Sequence, residues 1–277
     1  MITQPGQAAQ IGHYGAMRQQ RLVFGEVAEL YDKARAAYPD ALVDDVVAFA
    51  GGPALRAFEV GAGTGKATVS FAARGLDILA LEPSTAMAAV ARRNCQRFPR
   101  VRIEESSFED WPAEPGGFGL VYSAQAWHWV RPEVRYRKAA EMLIPRGALA
   151  LFWHRTEWRD VAVRDEFERL YQRLVPDLHA KRPGFPGLGA QGEDSLAGQE
   201  TRESGLFTGV TARTYPWRAT FTADSFTDLL LTQSDHRLMA EDTRAELFDG
   251  VREIIAGHGG QVVVPHSTLL ILARRAA

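Results

Sequence analysis

Gly61, Gly63 and Gly65 follow the apolar run Leu55–Val60 and precede Lys66. Residues without a Cβ let a backbone turn tightly and come close to a ligand. Ala67–Ala73 reads as a helix start, whose first N–H groups lack intrahelical partners and face whatever lies over the loop. Two carboxylates flank this stretch, Glu59 before the first glycine and Glu82 at the end of the next apolar run. Such groups accept hydrogen bonds from a ligand at charge-assisted strength. His128 sits between Trp127 and Trp129. An imidazole titrates near pH ~6.5, so it can take a proton from a hydroxyl or hold a hydrogen bond; it can equally stack between two indoles for packing. Tyr31, Arg35 and Tyr38 stand about one helical turn apart and offer a cation among phenols, suited to an anionic group.

These residues need a frame. Leu55–Val60, Asp77–Leu81, Val101–Glu104, Phe118–Ser123 and Ala148–Trp153 are short apolar runs separated by helical stretches or loops. That alternation predicts an α/β protein with a doubly wound parallel sheet. Ser84 ahead of Met87 and Val90 marks one helix; Pro132 opens another that ends near Leu143, with Pro145 and Gly147 as punctuation. Leu42, Val43, Val46 and Val47 form an apolar helix face after Pro39, with Gly51 as its C-terminal cap. In such sheets ligands sit beyond the carboxyl ends of the strands, which puts the glycine loop, Glu82 and the Ser123 region on one rim.

After Trp153 the rhythm changes. Phe167, Leu170, Tyr171 and Leu174 have helical spacing, whereas Pro176–Gly198 is Pro/Gly-rich and reads as a mobile binding loop or lid. Val210–Phe221 looks extended, and Phe226, Leu229 and Leu230 look helical. Thr243 and Glu246 resemble a capping box, and His266–Ala273 reads as a closing strand. Met1–Gly25, rich in Gln, Gly and Ala, reads as a loose arm.

Composition narrows the function. Of 277 residues, Lys plus Arg number 32 and Asp plus Glu 34, and a formal net charge of -2 leaves no electrostatic footprint for nucleic acid. Cys95 is the one cysteine, so an internal disulfide and a multi-cysteine zinc site are excluded. His236, His258 and His266 lack metal-ligand spacing, and no metal is expected. With no leader pattern and no run long enough for a bilayer, the expectation is a soluble cytoplasmic protein without a membrane partner.

Spacing separates three readings of the glycine loop. A phosphate-binding Walker loop fails, because Val60 stands where its first glycine belongs and Ala67 follows Lys66. A dinucleotide fingerprint is weak, because Lys66 occupies the place of its third small residue. What remains, Glu59-Val60-Gly61-Ala62-Gly63-Thr64-Gly65 with Glu82 after the second run, resembles the first motif of class I S-adenosylmethionine-dependent methyltransferases. Leu81–Ser84, Ser107–Trp111, Ser123–Trp129 and Leu143–Leu149 are similar to the family's later motifs. Tyr31–Pro39 and Trp127–Trp129 resemble the small-molecule, methyltransferase type 11-like branch that includes trans-aconitate methyltransferase-like proteins.

The resemblance implies a Rossmann-like sheet of about seven strands, the last antiparallel, with helical lid elements. It implies one domain over residues 1–277: a cofactor core at 25–155, a lid or insertion at 156–208, and sheet-completing elements at 209–277. S-adenosylmethionine would be held by Glu59, Gly61, Gly63, Thr64, Gly65, Glu82, Pro83, Ser107, Phe108, Ser123 and Gln125, with Tyr31 and Arg35 above. In that frame Glu82 accepts the ribose hydroxyls, Ser107 and Phe108 flank the adenine, and His128 is the candidate catalytic group. Arg131 stands where the family often has an acidic residue after that histidine, and His154 where relatives often carry asparagine. Arg155, Arg159, Arg182 and Trp217 are candidates for an acceptor pocket. The expected reaction is methyl transfer to a small molecule by direct displacement, oxygen favoured, in a monomer or homodimer. An NAD-dependent oxidoreductase and a non-catalytic cofactor-binding sensor stand as alternatives.

Overall fold

The structure is a computed structural model that describes residues 27–158, 163–181 and 195–277. The Met1–Gly25 arm, Arg159, Arg182 and much of the Pro176–Gly198 stretch lie outside the described residues.

Helix α1 (Ala28–Ala34) and α2 (Asp40–Ala50) lead into β1 (Arg56–Val60), α3 (Lys66–Ala72), β2 (Asp77–Leu81), α4 (Thr85–Cys95), β3 (Val101–Glu104) and β4 (Phe118–Ala124). A single turn at Trp127–Trp129 precedes α5 (Pro132–Met142) and β5 (Leu143–Thr156). Then come α6 (Arg164–Leu174), α7 (Pro176–Lys181), α8 (Leu196–Glu203), β6 (Phe207–Thr222), α9 (Ala223–Leu231), α10 (Ser234–Arg237), α11 (Glu241–Gly257) and β7 (Gln261–Arg275). The seven strands form one sheet in the order β3-β2-β1-β4-β5-β7-β6. Strands β1 to β5 pair in parallel, and β7 runs antiparallel to both β5 and β6. The expected seven-stranded sheet with an antiparallel last strand is what the chain forms.

Strand period decides the layers. Ala57 faces a core with α2 and α3, and its neighbours Phe58 and Val60 face a second core with α5. Both faces are buried, which is why these strands read as continuous apolar runs. The order reverses between β1 and β4, and the cleft opens there beyond the carboxyl ends of the strands.

Beyond that shared framework, β6 and β7 continue as a ribbon past the end of β5, and α6, α9 and α11 pack on it around Phe167, Phe226, Leu247 and Val264. Along β7, Val262 and Val264 join this helical core while Leu270 and Leu272 join the sheet core. His266 and Thr268 share their face and fall between the two. The cleft is the gap between two cores.

Three local expectations change. The helix carrying Tyr31 stops at Ala34, and Arg35 is already extended with ψ 135°, so Tyr38 lies in a connector rather than one turn further on. Thr243 and Glu246 sit inside α11, which starts at Glu241 after Ala240; acidic Glu241 and Asp242 favour that start through the helix dipole. A capping box is formed instead by Thr222 with Ser225, at the start of α9. Pro145 and Gly147 interrupt the start of β5 rather than preceding it: Phe118 pairs with Leu143 and Leu120 with Ala148, which leaves residues 144–147 bulged.

Candidate active site

A cleft of about 660 Å³ lies over the ends of β1, β2, β4 and β5, within the size range of small-molecule sites. The three glycines serve it differently. A Cβ on Gly61 (φ +76°) would lie 2.4 Å from the Ala126 Cβ, so this glycine lets the loops after β1 and β4 meet. One on Gly65 (φ +86°) would lie 3.2 Å from the Ala91 Cα, so this one lets α3 start against α4. Gly63 (φ +57°) has nothing within 4 Å of that position and leaves open space for a ligand.

Glu82 stands at the cleft edge, 8% exposed. One carboxylate oxygen accepts the Gly63 N–H at 2.8 Å and the other the Ser84 N–H at 2.9 Å. A carboxylate aimed by two backbone N–H groups at the cleft edge suits a vicinal diol. Glu59 lies behind the wall, fully buried, where Oε2 accepts the hydroxyls of Thr68 (2.6 Å) and Tyr122 (2.8 Å) and Oε1 has no partner. Burial raises its pKa to about 7. The Thr64 hydroxyl is also buried without a partner, and Thr64 lines the cleft. The open space over Gly63, the diol-ready Glu82 and this unused hydroxyl fit S-adenosylmethionine.

The remaining candidates divide between wall and support. Pro83, Ser107, Phe108 and Gln125 line the cleft. Ser107 Oγ accepts the Asp110 N–H at 3.1 Å and donates to its carboxylate at 2.7 Å, shaping the turn after β3. Phe108 is packed by Phe58 and Trp127, and Gln125 holds a left-handed backbone with φ +60°, a conformation that marks a constrained site. Ser123 is wholly buried and donates to the Val60 carbonyl at 2.8 Å, clamping β1 to β4 from behind. Tyr31 and Arg35 line the opposite edge. Arg35 donates to the Thr232 hydroxyl at 2.8 Å and its carbonyl at 3.2 Å, tying α1 to the end of α9. Lys66 pairs with Asp32 at 3.6 Å, which closes α1 over the glycine loop.

Three histidines face this cleft in different states. His128 is exposed and accepts the Trp153 indole N–H on Nδ1 at 3.3 Å. An indole only donates, so the neutral ring carries its proton on Nε2. His154 stacks on Tyr38 at 4.6 Å and contacts Thr268 through Nδ1 at 2.9 Å; burial drives its pKa down to about 3, so it is neutral. His266 stacks on Trp217 at 4.3 Å, and burial lowers its pKa as well. Metal spacing gives His266 no role in the sequence; the signal that could have found it is the polar interruption it makes in the apolar face of the last strand. Among the described residues no group of three or more His, Cys, Asp or Glu could hold a metal, and no helix is long and apolar enough to cross a membrane.

Residues 58–151, from β1 into β5, match the family described as methyltransferase domain. With the sheet order and the glycine loop, this defines the class: the protein is an S-adenosylmethionine-dependent methyltransferase with that molecule as methyl donor, and the oxidoreductase and sensor readings give way. Among particular proteins it is similar to an uncharacterized methyltransferase of Mycobacterium tuberculosis, 28% identical over 261 residues that cover 92% of this chain and 97% of the relative. In fold it is similar to a protein described as a type II methyltransferase from Anaeromyxobacter dehalogenans (TM-score 0.60, 20% identity, 87% of this chain and 97% of that one). It is also similar to Haemonchus contortus phosphoethanolamine N-methyltransferase 2 in complex with S-adenosyl-L-methionine (TM-score 0.52, 14% identity, 92% and 57%).

Proposed function

We propose that this methyltransferase acts on an oxygen of a small-molecule acceptor. The observation that carries the reading is that one continuous cleft holds both the donor floor, Gly63 and Glu82, and a second wall built from Tyr38, His154, Trp217 and His266. That wall is aromatic and neutral, and the cleft is of small-molecule size. The segments that resemble the trans-aconitate methyltransferase-like branch, around Tyr31 and His128, both line it.

Bound S-adenosylmethionine supplies an activated methyl group on a sulfonium, so alignment of the acceptor provides most of the acceleration. The chain's own work is to hold and orient. Glu82 would hold the ribose, Ser107 and Phe108 would flank the adenine, and Gly63 allows close approach. Thr64, with its unpartnered hydroxyl, would hold the methionine end, and Glu59 braces the loop from behind. His128, with its proton on Nε2, offers a hydrogen bond across the cleft mouth. Residues 25–155 form the cofactor core, 156–208 the lid, and 209–277 the elements that complete the sheet and the acceptor wall, in one domain acting as a monomer or homodimer in the cytoplasm.

The test is incubation with methyl-labelled S-adenosylmethionine and a panel of alcohols, phenols, carboxylic acids, amines, RNA and protein. Label is expected in an ether or ester of a small molecule, with S-adenosylhomocysteine formed in equal amount. Label confined to nitrogen, carbon or a polymer refutes the assignment.

A further inference from the structure

His266 lines the cleft with one ring nitrogen engaged by the backbone. Its Nδ1 lies 2.9 Å from the Val264 carbonyl oxygen, which can only accept, so Nδ1 carries the proton and Nε2 is a bare lone pair. The residue is 6% exposed, and among the described residues no hydrogen bond reaches Nε2. A nitrogen so placed, in a residue that lines the cleft, is a preformed acceptor waiting for a donor.

Its surroundings define that donor. Trp217 stacks on the ring in near-parallel fashion, 17° between planes, and Phe221 leans on it at 6.2 Å. Next to the cleft lies a smaller apolar pocket of about 50 Å³, and the two share Thr156, Leu229, Gln233 and His266. Its deeper walls include Trp158, Phe226 and Leu230. A flat apolar body can lie along the indole and reach into this annex, which among the described residues no Lys, Arg, Asp or Glu lines, so a charged body would lose its hydration there without a counter-ion.

We propose that His266 receives the acceptor: a neutral molecule with a flat apolar body whose hydroxyl donates to Nε2 and gives it the proton as the methyl arrives. The acceptor oxygen's lone pair forms the new O–C bond and the C–S pair stays on sulfur, leaving a neutral thioether. The O–H pair stays on oxygen, and the imidazolium returns its proton to water after release. This rests on the oxygen-methyltransferase reading and assigns its acceptor site.

The test uses 2-naphthol and its methyl ether as probes, with binding followed by calorimetry without any methyl donor. The wild type is expected to bind the naphthol about three- to tenfold more tightly than the ether, the worth of one hydrogen bond. His266→Phe keeps the stack and removes the acceptor, so it should bind the two probes alike while S-adenosylhomocysteine affinity stays at the wild-type value. Should that variant not fold, the 15N shift of wild-type His266 Nε2 must move toward a hydrogen-bonded value with naphthol and stay put with the ether. Equal binding of the probes by the wild type, a preference that survives in His266→Phe, or no naphthol binding by protein that binds S-adenosylhomocysteine overturns the inference and leaves the methyltransferase reading standing. Loss of S-adenosylhomocysteine binding by the wild type would strike that reading instead.

Discussion

At the donor end the cleft is floored by backbone: consecutive residues from Val60 to Thr64 turn over the end of β1, and Glu82, one strand over, is aimed by two N–H groups. At the acceptor end the wall is made of rings brought from Tyr38, His154, Trp217 and His266: His154 stacks on Tyr38 at 4.6 Å and meets Trp217 edge-to-face at 5.0 Å, and Trp217 stacks on His266 at 4.3 Å. A floor of backbone depends on φ angles and close approach, and tolerates change in the side chains around it. A wall of rings can be rebuilt residue by residue without disturbing the floor. One donor can thus serve different acceptors, and variants should separate the two ends.

The largest expected effect lies in the floor. Gly61→Ala combines a Cβ at 2.4 Å from Ala126 with a left-handed backbone and should cost about 2–5 kcal/mol in urea unfolding. Gly63→Ala meets no neighbour, so it should cost only about 1–2 kcal/mol while still weakening S-adenosylhomocysteine binding. Equal stability losses would show that the two glycines do the same job.

Glu59 comes next, because it supports the floor through its protonation. Burial raises its pKa from 4.5 to about 7. The folded chain therefore keeps a proton that the unfolded chain releases, and stability is highest below pH 4.5 and falls as pH rises through about 7. A rise of that size corresponds to on the order of 3 kcal/mol between the two ends of the window. Glu59→Gln keeps an acceptor for Thr68 and Tyr122 and should flatten that part of the stability–pH curve. An unchanged slope between pH 4.5 and 7 would mean that Glu59 does not carry it.

Glu82→Ala should weaken S-adenosylhomocysteine at least tenfold by calorimetry, about 1.4 kcal/mol, and leave naphthol binding alone. If both ligands weaken together, the ends are coupled and the division of the cleft fails.

The donor floor was legible in the sequence because its parts are contiguous: the Glu59–Lys66 spacing, Glu82 closing an apolar run, and strands β1 to β4, whose ends lie within a residue of the expected ones, whereas β5 starts and ends several residues beyond Ala148–Trp153. What stayed hidden was long-range. That Gly65 serves the α3–α4 contact and Ser123 clamps β1 to β4 depends on neighbours no local pattern names. Tyr38 and His266 meet one wall only because β7 returns beside β5 and sets His266 opposite Thr156. Tautomers are further from the sequence still, since each is fixed by a single hydrogen-bond partner.

The smallest effect is expected at His128, and it tests the comparison most finely. The two histidines have opposite faces toward the cleft: Trp153 donates to His128 Nδ1 and leaves an Nε2 proton, whereas the Val264 carbonyl takes the His266 Nδ1 proton and leaves an Nε2 lone pair. His128 is thus a donor, and its ring is exposed, so its hydrogen bond competes with water. Replacing it with alanine should lower turnover by about two- to tenfold with S-adenosylhomocysteine affinity unchanged, and glutamine, which keeps an N–H, should recover most of the loss. Trp153→Phe should act in the same sense but more weakly, by freeing Nδ1 and letting the ring exchange tautomers. If His128→Ala instead abolishes the acidic limb of the pH–rate profile and His266→Phe leaves that limb in place, the proton leaves by the donor end, and the roles of the two histidines are the reverse of those drawn from their hydrogen bonds.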